Sequence, residues 1–215
     1  FALKGKDAME MPAKIGIHPR KDCFIHAMPC FVGGGADVAG IKWVSGYPLN
    51  QAKGLPYITG VMCLNDPETG FVKVIMDANW ITAWRTGAAT GVCARHMADP
   101  DSRVLAVIGL GVQGRTNAAA LAAALPKVEK VKVYDKHAEQ VPRFLELVKE
   151  DLKGIEVLPC ATVEETVSEA DVVVTCTAPT PRGRAAADLT AAARAMGVAH
   201  VVQCDTVEQA CDRAV

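Results

Sequence analysis

No two of the chain's eight cysteines are spaced C-x-x-C. That removes the usual ligand spacing of a structural zinc site. The cysteines, at positions 23, 30, 63, 93, 160, 176, 204 and 211, fall mostly in apolar contexts. They read as small buried hydrophobes of a reduced, cytoplasmic protein, with no metal. Charge of one sign is also lacking: 23 Lys and Arg face 24 Asp and Glu, a net charge of −1. Nothing here suggests nucleic acid or an anionic membrane surface as partner. No apolar run reaches the roughly 18 residues of a membrane span. The opening Phe1-Ala-Leu-Lys-Gly-Lys has neither the long apolar region nor the cleavage site of a signal peptide. What is present is hydrophobic material, 50% of 215 residues, enough for one large core or two small ones.

One stretch organises the rest: Arg103-Val-Leu-Ala-Val-Ile-Gly-Leu-Gly-Val-Gln-Gly114. Val104 to Ile108 reads as a strand buried on both faces. Gly109, Gly111 and Gly114 fit G-x-G-x-x-G. The first permits a tight turn, the second lets a pyrophosphate approach the backbone, and the third lets the following helix pack on the strand. The helix start then offers free N–H groups to phosphates. Such a motif alone is often an ordinary turn, but its context here is that of a dinucleotide site. An Ala-rich helix from about Arg115 to Leu125 is closed by Pro126, and a second strand runs from Lys130 to Tyr134. Asp135 follows, 21 residues after Gly114, where a carboxylate would accept hydrogen bonds from the ribose. It favours NAD, because a 2′-phosphate would meet its charge. NADP is the alternative, with Lys136 able to help hold that phosphate, and the blander reading of Asp135 is a solvated strand end.

Further strands are expected at Ile155–Leu158, Asp171–Thr177 and His200–Cys204. Helices are expected at His137–Leu152, at Thr162–Ala170 with Thr162 and Glu165 as a capping box, at Asp188–Met196 and at Thr206–Arg213. This alternation predicts an α/β fold with a Rossmann-type doubly wound parallel sheet over residues 100–215.

Residues 1–99 differ in kind and predict a second, α+β domain. Strands are expected at Ala13–Ile17, at Phe24–Val32 with an interruption at Pro29, and at Asp37–Ser45, where Lys42 shares a face with Val38, Gly40 and Val44. A loop, 46–54, leads to a hairpin of Leu55–Leu64 and Phe71–Met76 turned by Asp66-Pro67-Glu68-Thr69-Gly70. Asp77 or Asn79 can cap a helix to about Ala98. Ala83, Gly87 and Gly91 make a smooth stripe on it, suited to a close backbone or a flat ligand. Asp99-Pro100-Asp101-Ser102 marks the boundary.

Two cations stand in apolar surroundings, Lys42 and Arg85. A buried cation is costly unless paired, and an arginine fork matches a carboxylate. The blander readings are snorkelling at a strand edge for Lys42, and an ion pair with Asp77 or Glu68 for Arg85. Arg20, in a loop, reads by itself as solvated.

The segments MPCFVGGGADVAGIKWVSGYPLN, LPYITGVMCLNDPETGFVKVIMDANWITAWRTGAAT and VIGLGVQGR together resemble the ornithine cyclodeaminase/mu-crystallin family over roughly residues 1–178. The resemblance implies a homodimer whose first domain, 1–99, binds substrate and dimerises, and whose second, 100–215, binds NAD(P). It implies that Lys42 is the active-site lysine beside the substrate and that Arg85 grips the substrate carboxylate, with Arg20 as a second carboxylate arginine. Gly109, Gly111, Val112, Gln113, Gly114 and Asp135, with Thr86 and Thr177, form the expected cofactor-contacting set.

The family's pattern also has helical residues ahead of Phe1, a C-terminal helix returning to the first domain, and a Gly-x-Asp-x-Pro-Gly-Lys-like segment bearing an acid–base Asp. None of these is found here. Residues between about 180 and 188 read as omitted, Asp205 is no safe substitute, and the acid–base residue is unassigned. The implied activity is NAD-dependent chemistry on a small α-amino or α-imino acid: ornithine cyclodeamination to proline and ammonia foremost, or an alanine-type dehydrogenase or ketimine reductase. A mu-crystallin-like NADPH or small-ligand binder without turnover is the alternative of another class.

Overall fold

A computed structural model describes residues 9–176. Thr177 and the elements expected at 188–196, 200–204 and 206–213 lie outside the described residues. Two compact units are present, one up to Thr82 and one from Ala83 onward. The division thus falls inside a helix, α1 (Asn79–Met97), and not at Asp99-Pro100.

The first unit is an antiparallel sheet of six strands: β1 (Met9–Glu10), β2 (Ile15–Ile17), β3 (Phe24–Val32), β4 (Val38–Gly46), β5 (Ile58–Asn65) and β6 (Val72–Asp77). Their order is β1-β3-β4-β5-β6, with β2 also on β3. Pro29 does not interrupt β3. Its outer edge faces β2 at Ile25–Ala27 and β1 at Phe31–Val32, and Pro29 sits in the gap between them. A missing N–H breaks no ladder bond there. The expected 46–54 loop is in part a 3-10 helix, Pro48–Lys53, closed by Gly54 at φ 70°. Asp66 builds the β5–β6 turn, its Oδ1 accepting the Glu68 and Thr69 N–H groups. Lys73 bonded to its carboxylate holds the Asp66 pKa down, to about 2.

In the second unit a parallel four-stranded sheet has the order β10-β7-β8-β9. The strands are β7 (Val104–Ile108), β8 (Lys130–Tyr134), β9 (Glu156–Pro159) and β10 (Val172–Thr175). They are linked by α2 (Val112–Ala124), α3 (Gln140–Val148) and α4 (Val163–Val167). One core packs Leu105, Val107, Val131 and Val133 with Leu121, Phe144 and Val148. On the opposite side, Ala106 and Ile108 pack with Val167. Helices on both faces make the sheet doubly wound, as expected. Alternate residues of β7 point into the two cores, so the strand must be apolar throughout.

The helix expected at His137–Leu152 is shorter at both ends. Its intended first turn is consumed by a bend in which Asp135 accepts the His137 N–H. Thr162 caps α4 through the Glu165 N–H, and Glu165 reaches back to the Ala161 N–H, one residue short of the expected box. Asp171 ties β10 to β7 by accepting the N–H groups of Arg103 and Val104.

The Ala83–Gly87–Gly91 stripe meets a backbone. A Cβ on Gly87 would overlap the Thr116 carbonyl oxygen, and one on Gly91 would lie 2.8 Å from that of Ala120. Helix α1 therefore packs on α2 with no side chain between them at these points. That offsets the helix propensity lost at each glycine, about 1 kcal/mol.

Candidate functional site

The glycine loop lies at the carboxyl end of β7. Its neighbours β8 and β10 lead away in opposite directions in the strand order, so this is the sheet's topological switch point. Gly109 has φ 92°, a conformation L side chains avoid. A Cβ on Gly114 would overlap the Gly109 carbonyl oxygen. Gly111 is the opposite case: a Cβ there would meet nothing within 4 Å. It is also the N-cap of α2, with no side chain capping it. Fold and strand contacts therefore explain the first and third glycines. The second leaves open space in front of uncapped N–H groups, which fits an approaching pyrophosphate.

Asp135 is held in place. Its Oδ2 accepts the Leu110 N–H at 2.7 Å and its Oδ1 the His137 N–H at 2.9 Å. It is not simply a solvated strand end: it ties β8 to the glycine loop, and each oxygen keeps a lone pair for a ribose hydroxyl. Lys136 beside it is exposed. Val112 is exposed at the start of α2, and Gln113 is held by Asn117 Nδ2 through its carbonyl at 2.7 Å. Thr86 is half-buried on α1, and its carbonyl accepts from Thr90 Oγ1 at 3.4 Å. Cys176 ends the described chain at the carboxyl edge of β10, and burial pushes its thiol up to about 11.

In the first unit Lys42 is 6% exposed, and its strand is flanked by β3 and β5. It is not at a sheet edge, which removes the snorkelling account. Its cross-strand partners are Met28 and Met62, and Met76 continues the row on β6. Directly paired residues share a face, so the lysine stem is bracketed by thioethers. Val44 and His26 are buried on the same face. His26 stacks on Phe24 with ring centroids 4.3 Å apart. The strand alternation that groups Lys42 with Val44 extends across the register to His26, which sequence reading overlooked.

The two arginines stand differently from Lys42. Arg85 is exposed, and among the described residues it forms neither ion pair suggested for it. Its guanidinium is thus available to a ligand. Arg20 is also exposed. It lies in the β2–β3 turn and donates from Nη1 to the Pro19 carbonyl at 2.7 Å. Phe24 opens β3 four residues before Met28, the partner of Lys42, so that turn sits about 13 Å along the strand from the Lys42 row.

Of the cysteines, Cys23 is buried, Cys93 is exposed, and Cys30, Cys63, Cys160 and Cys176 lie between, so the buried reading holds for only one of those described. No helix among the described residues is long and apolar enough to cross a membrane.

A four-stranded parallel sheet with a glycine loop at its switch point and an acidic residue ending the next strand defines a dinucleotide-binding unit. The chain belongs to the ornithine cyclodeaminase/mu-crystallin family, whose model matches residues 1–202. It is 39% identical over 173 residues to the nodulation efficiency protein NfeD of Rhizobium meliloti, covering 80% of this chain and 52% of that protein. Among solved structures it resembles the Δ1-pyrroline-2-carboxylate reductase of Thermococcus litoralis in complex with NADH and L-proline. The TM-score there is 0.71 at 34% identity, covering 78% of this chain and 51% of the other. It also resembles an archaeal alanine dehydrogenase dimer with bound NAD, with a TM-score of 0.69 at 37% identity over 79% and 50% of the two chains. The chain thus spans about half the length of these relatives.

Proposed function

We propose that this chain carries the NAD(H)-binding unit and a substrate-binding sheet of an enzyme that interconverts a small α-amino acid and its imine. The observation that carries this reading is Lys42. A lysine 6% exposed in an interior strand takes a cation largely out of water, a costly choice for the fold alone. Its amine serves as the proton donor or acceptor to the substrate nitrogen.

Gly109, Gly111, Val112, Gln113 and Gly114 would hold the pyrophosphate and Asp135 the ribose, with Thr86 and Thr177 as further contacts. Bound there, NAD supplies a hydride acceptor, and NADH a donor, for the substrate α-carbon. Arg85 grips the substrate carboxylate, and Arg20 is the second candidate for that task. Holding the carboxylate fixes the α-carbon, and orientation of this kind supplies much of the rate. No second acid–base residue is assigned beside Lys42.

Ornithine cyclodeamination to proline and ammonia is the particular reaction put forward first. Alanine-type dehydrogenation and reduction of a cyclic imine use the same groups, and both activities are named among the similar structures.

The second protomer of a homodimer would cover the Trp43 face of the sheet. That face exposes Ile15, Ile17, Trp43, Val61 and Ile75, with Trp43 49% and Ile75 70% exposed. The register puts them on one side, and scattered single apolar residues would not line up so.

The deciding assay incubates full-length protein with NAD and L-ornithine, L-alanine or L-lysine, and with NADH and Δ1-pyrroline-2-carboxylate. Absorbance of NADH is followed, and proline and ammonia are measured. Proline and ammonia from ornithine without net NADH identify a cyclodeaminase. NADH formed with alanine identifies a dehydrogenase, and NADH consumed with the imine a reductase. Tight NADPH binding with no turnover in any arm would reject the enzyme reading in favour of a binding protein. Lys42→Met should lower kcat by about two orders of magnitude or more while the fold is retained; an unchanged kcat would remove Lys42 from the chemistry.

A further inference from the structure

Three elements of the second unit meet at Arg115. Its guanidinium carbon lies 5.7 Å from the centroid of the Trp84 ring on α1. Its Nε and Nη2 both reach Asp151 Oδ2 at 3.3 Å, just past the end of α3. Arg115 directly follows the third glycine of the loop, near enough in sequence to serve a phosphate. Its guanidinium is instead engaged by an indole and a carboxylate.

Trp84, Gly87 and Gly91 lie on one face of α1, being three and seven residues apart. All three meet α2: the glycines at the Thr116 and Ala120 carbonyls, and the tryptophan at Arg115. The glycine contacts set how closely the helices approach. Being smooth, they do little to stop α1 turning about its own axis. The stack of Arg115 on Trp84 stops that turn, and the Asp151 ion pair keeps the arginine from following. Arg85, the next residue, leaves α1 about 100° around from Trp84, on the exposed side. With side-chain ends about 5–6 Å from the helix axis, a rotation of roughly 10° would carry the Arg85 guanidinium about 1 Å. A displacement of that size is enough to cost a large factor in a positioned reaction.

We propose that Arg115, stacked on Trp84 and anchored by Asp151, is a positioning residue that sets the rotation of α1 and so aims Arg85 at the substrate carboxylate. It serves the substrate and not the cofactor. This inference rests on the assignment of Arg85 to the carboxylate.

The test uses full-length protein with NADH and Δ1-pyrroline-2-carboxylate, and with NAD and L-alanine, together with NADH titrations followed by fluorescence. Arg115→Met should raise KM for the imino or amino acid about tenfold and change kcat less, with the NADH Kd within about twofold of the parent. Arg115→Lys keeps a cation over the ring and should recover most of the loss. Trp84→Leu should reproduce the KM effect, and the double variant should be no worse than either single one, since both break one contact. A lower thermal midpoint with unchanged KM would make Arg115 merely structural and overturn the proposal. A weakened NADH Kd with unchanged KM would make it a cofactor ligand and overturn it too. Arg85→Lys is run alongside. If it leaves KM unchanged, the carboxylate assignment fails and the inference with it. If it raises KM while Arg115→Met does not, the inference alone fails.

Discussion

The carboxylate of Asp135 holds the amide of Leu110 at 2.7 Å, so one side chain joins the end of β8 to the middle glycine-loop residue. A charged acceptor for a backbone N–H contributes about 1.5–3 kcal/mol. Asp135→Ala should therefore weaken NADH binding roughly ten- to a hundredfold, through the loop as well as through the ribose. Asp135→Ser should shift preference towards NADPH, because it removes the charge that a 2′-phosphate would meet. Fluorescence titration with both cofactors measures this; equal affinities in parent and Ala variant would take Asp135 out of the site.

Two glycines should respond in opposite ways to the same methyl group. A Cβ on Gly87 overlaps the Thr116 backbone, so Gly87→Ala must push α1 off α2 and should cost about 1–3 kcal/mol of stability. The Cβ of Gly111→Ala meets nothing within 4 Å, so its thermal midpoint should stay near that of the parent while NADH affinity falls. Thermal melts with and without NADH separate the two effects. A Gly111→Ala protein that binds NADH normally would show that the open space is not where the pyrophosphate goes.

The apolar face around Trp43 should be an interface between copies. Trp43→Glu places a charge in its centre, and an interfacial charge left without a partner is costly. Light scattering after size exclusion should show the parent as a dimer and the variant as a monomer. A parent that is monomeric at micromolar concentration would dismiss the homodimer.

Burial raises the Cys176 thiol to about 11, while Cys93 is exposed. The thiolate is the reactive form, so near pH 8 iodoacetamide should label Cys93 well before Cys176. A folded pKa above the unfolded one gives a stabilising contribution that is complete below about pH 8.5 and is lost as pH rises towards 11. Labelling of Cys176 should therefore accelerate steeply with pH, as peptide mapping would show. Equal labelling rates for the two thiols near neutral pH would mean that Cys176 is not shielded.

Much of the second unit was legible in the chain because its constraints are local. Val104 to Ile108 must be apolar on both faces, the turn that follows needs Gly109 at positive φ, and Asp135 ends the next strand at the expected distance. The limits of β8 agree to the residue, since turns bound it on both sides. The helix expected from His137 was too long because Asp135 spends a carboxylate oxygen on the His137 N–H, and periodicity alone does not register that bend. In the first unit, alternation placed Lys42 and Val44 on one face. Which residues stand beside Lys42 depends on strand register, a long-range property, so Met28, Met62 and His26 were invisible as its neighbours. The same holds for Pro29, tolerated in β3 only because two short strands leave a gap opposite it. The apolar sequence neighbours of Arg85 suggest burial, yet a helix turns each residue about 100° from the last, and only packing decides which side is covered. Local chemistry in the sequence thus determined the glycine loop, its strand and its acidic partner. Tertiary structure alone decided the register around Lys42, the exposure of Arg85 and the clamp at Arg115, because each arises from segments far apart in the chain.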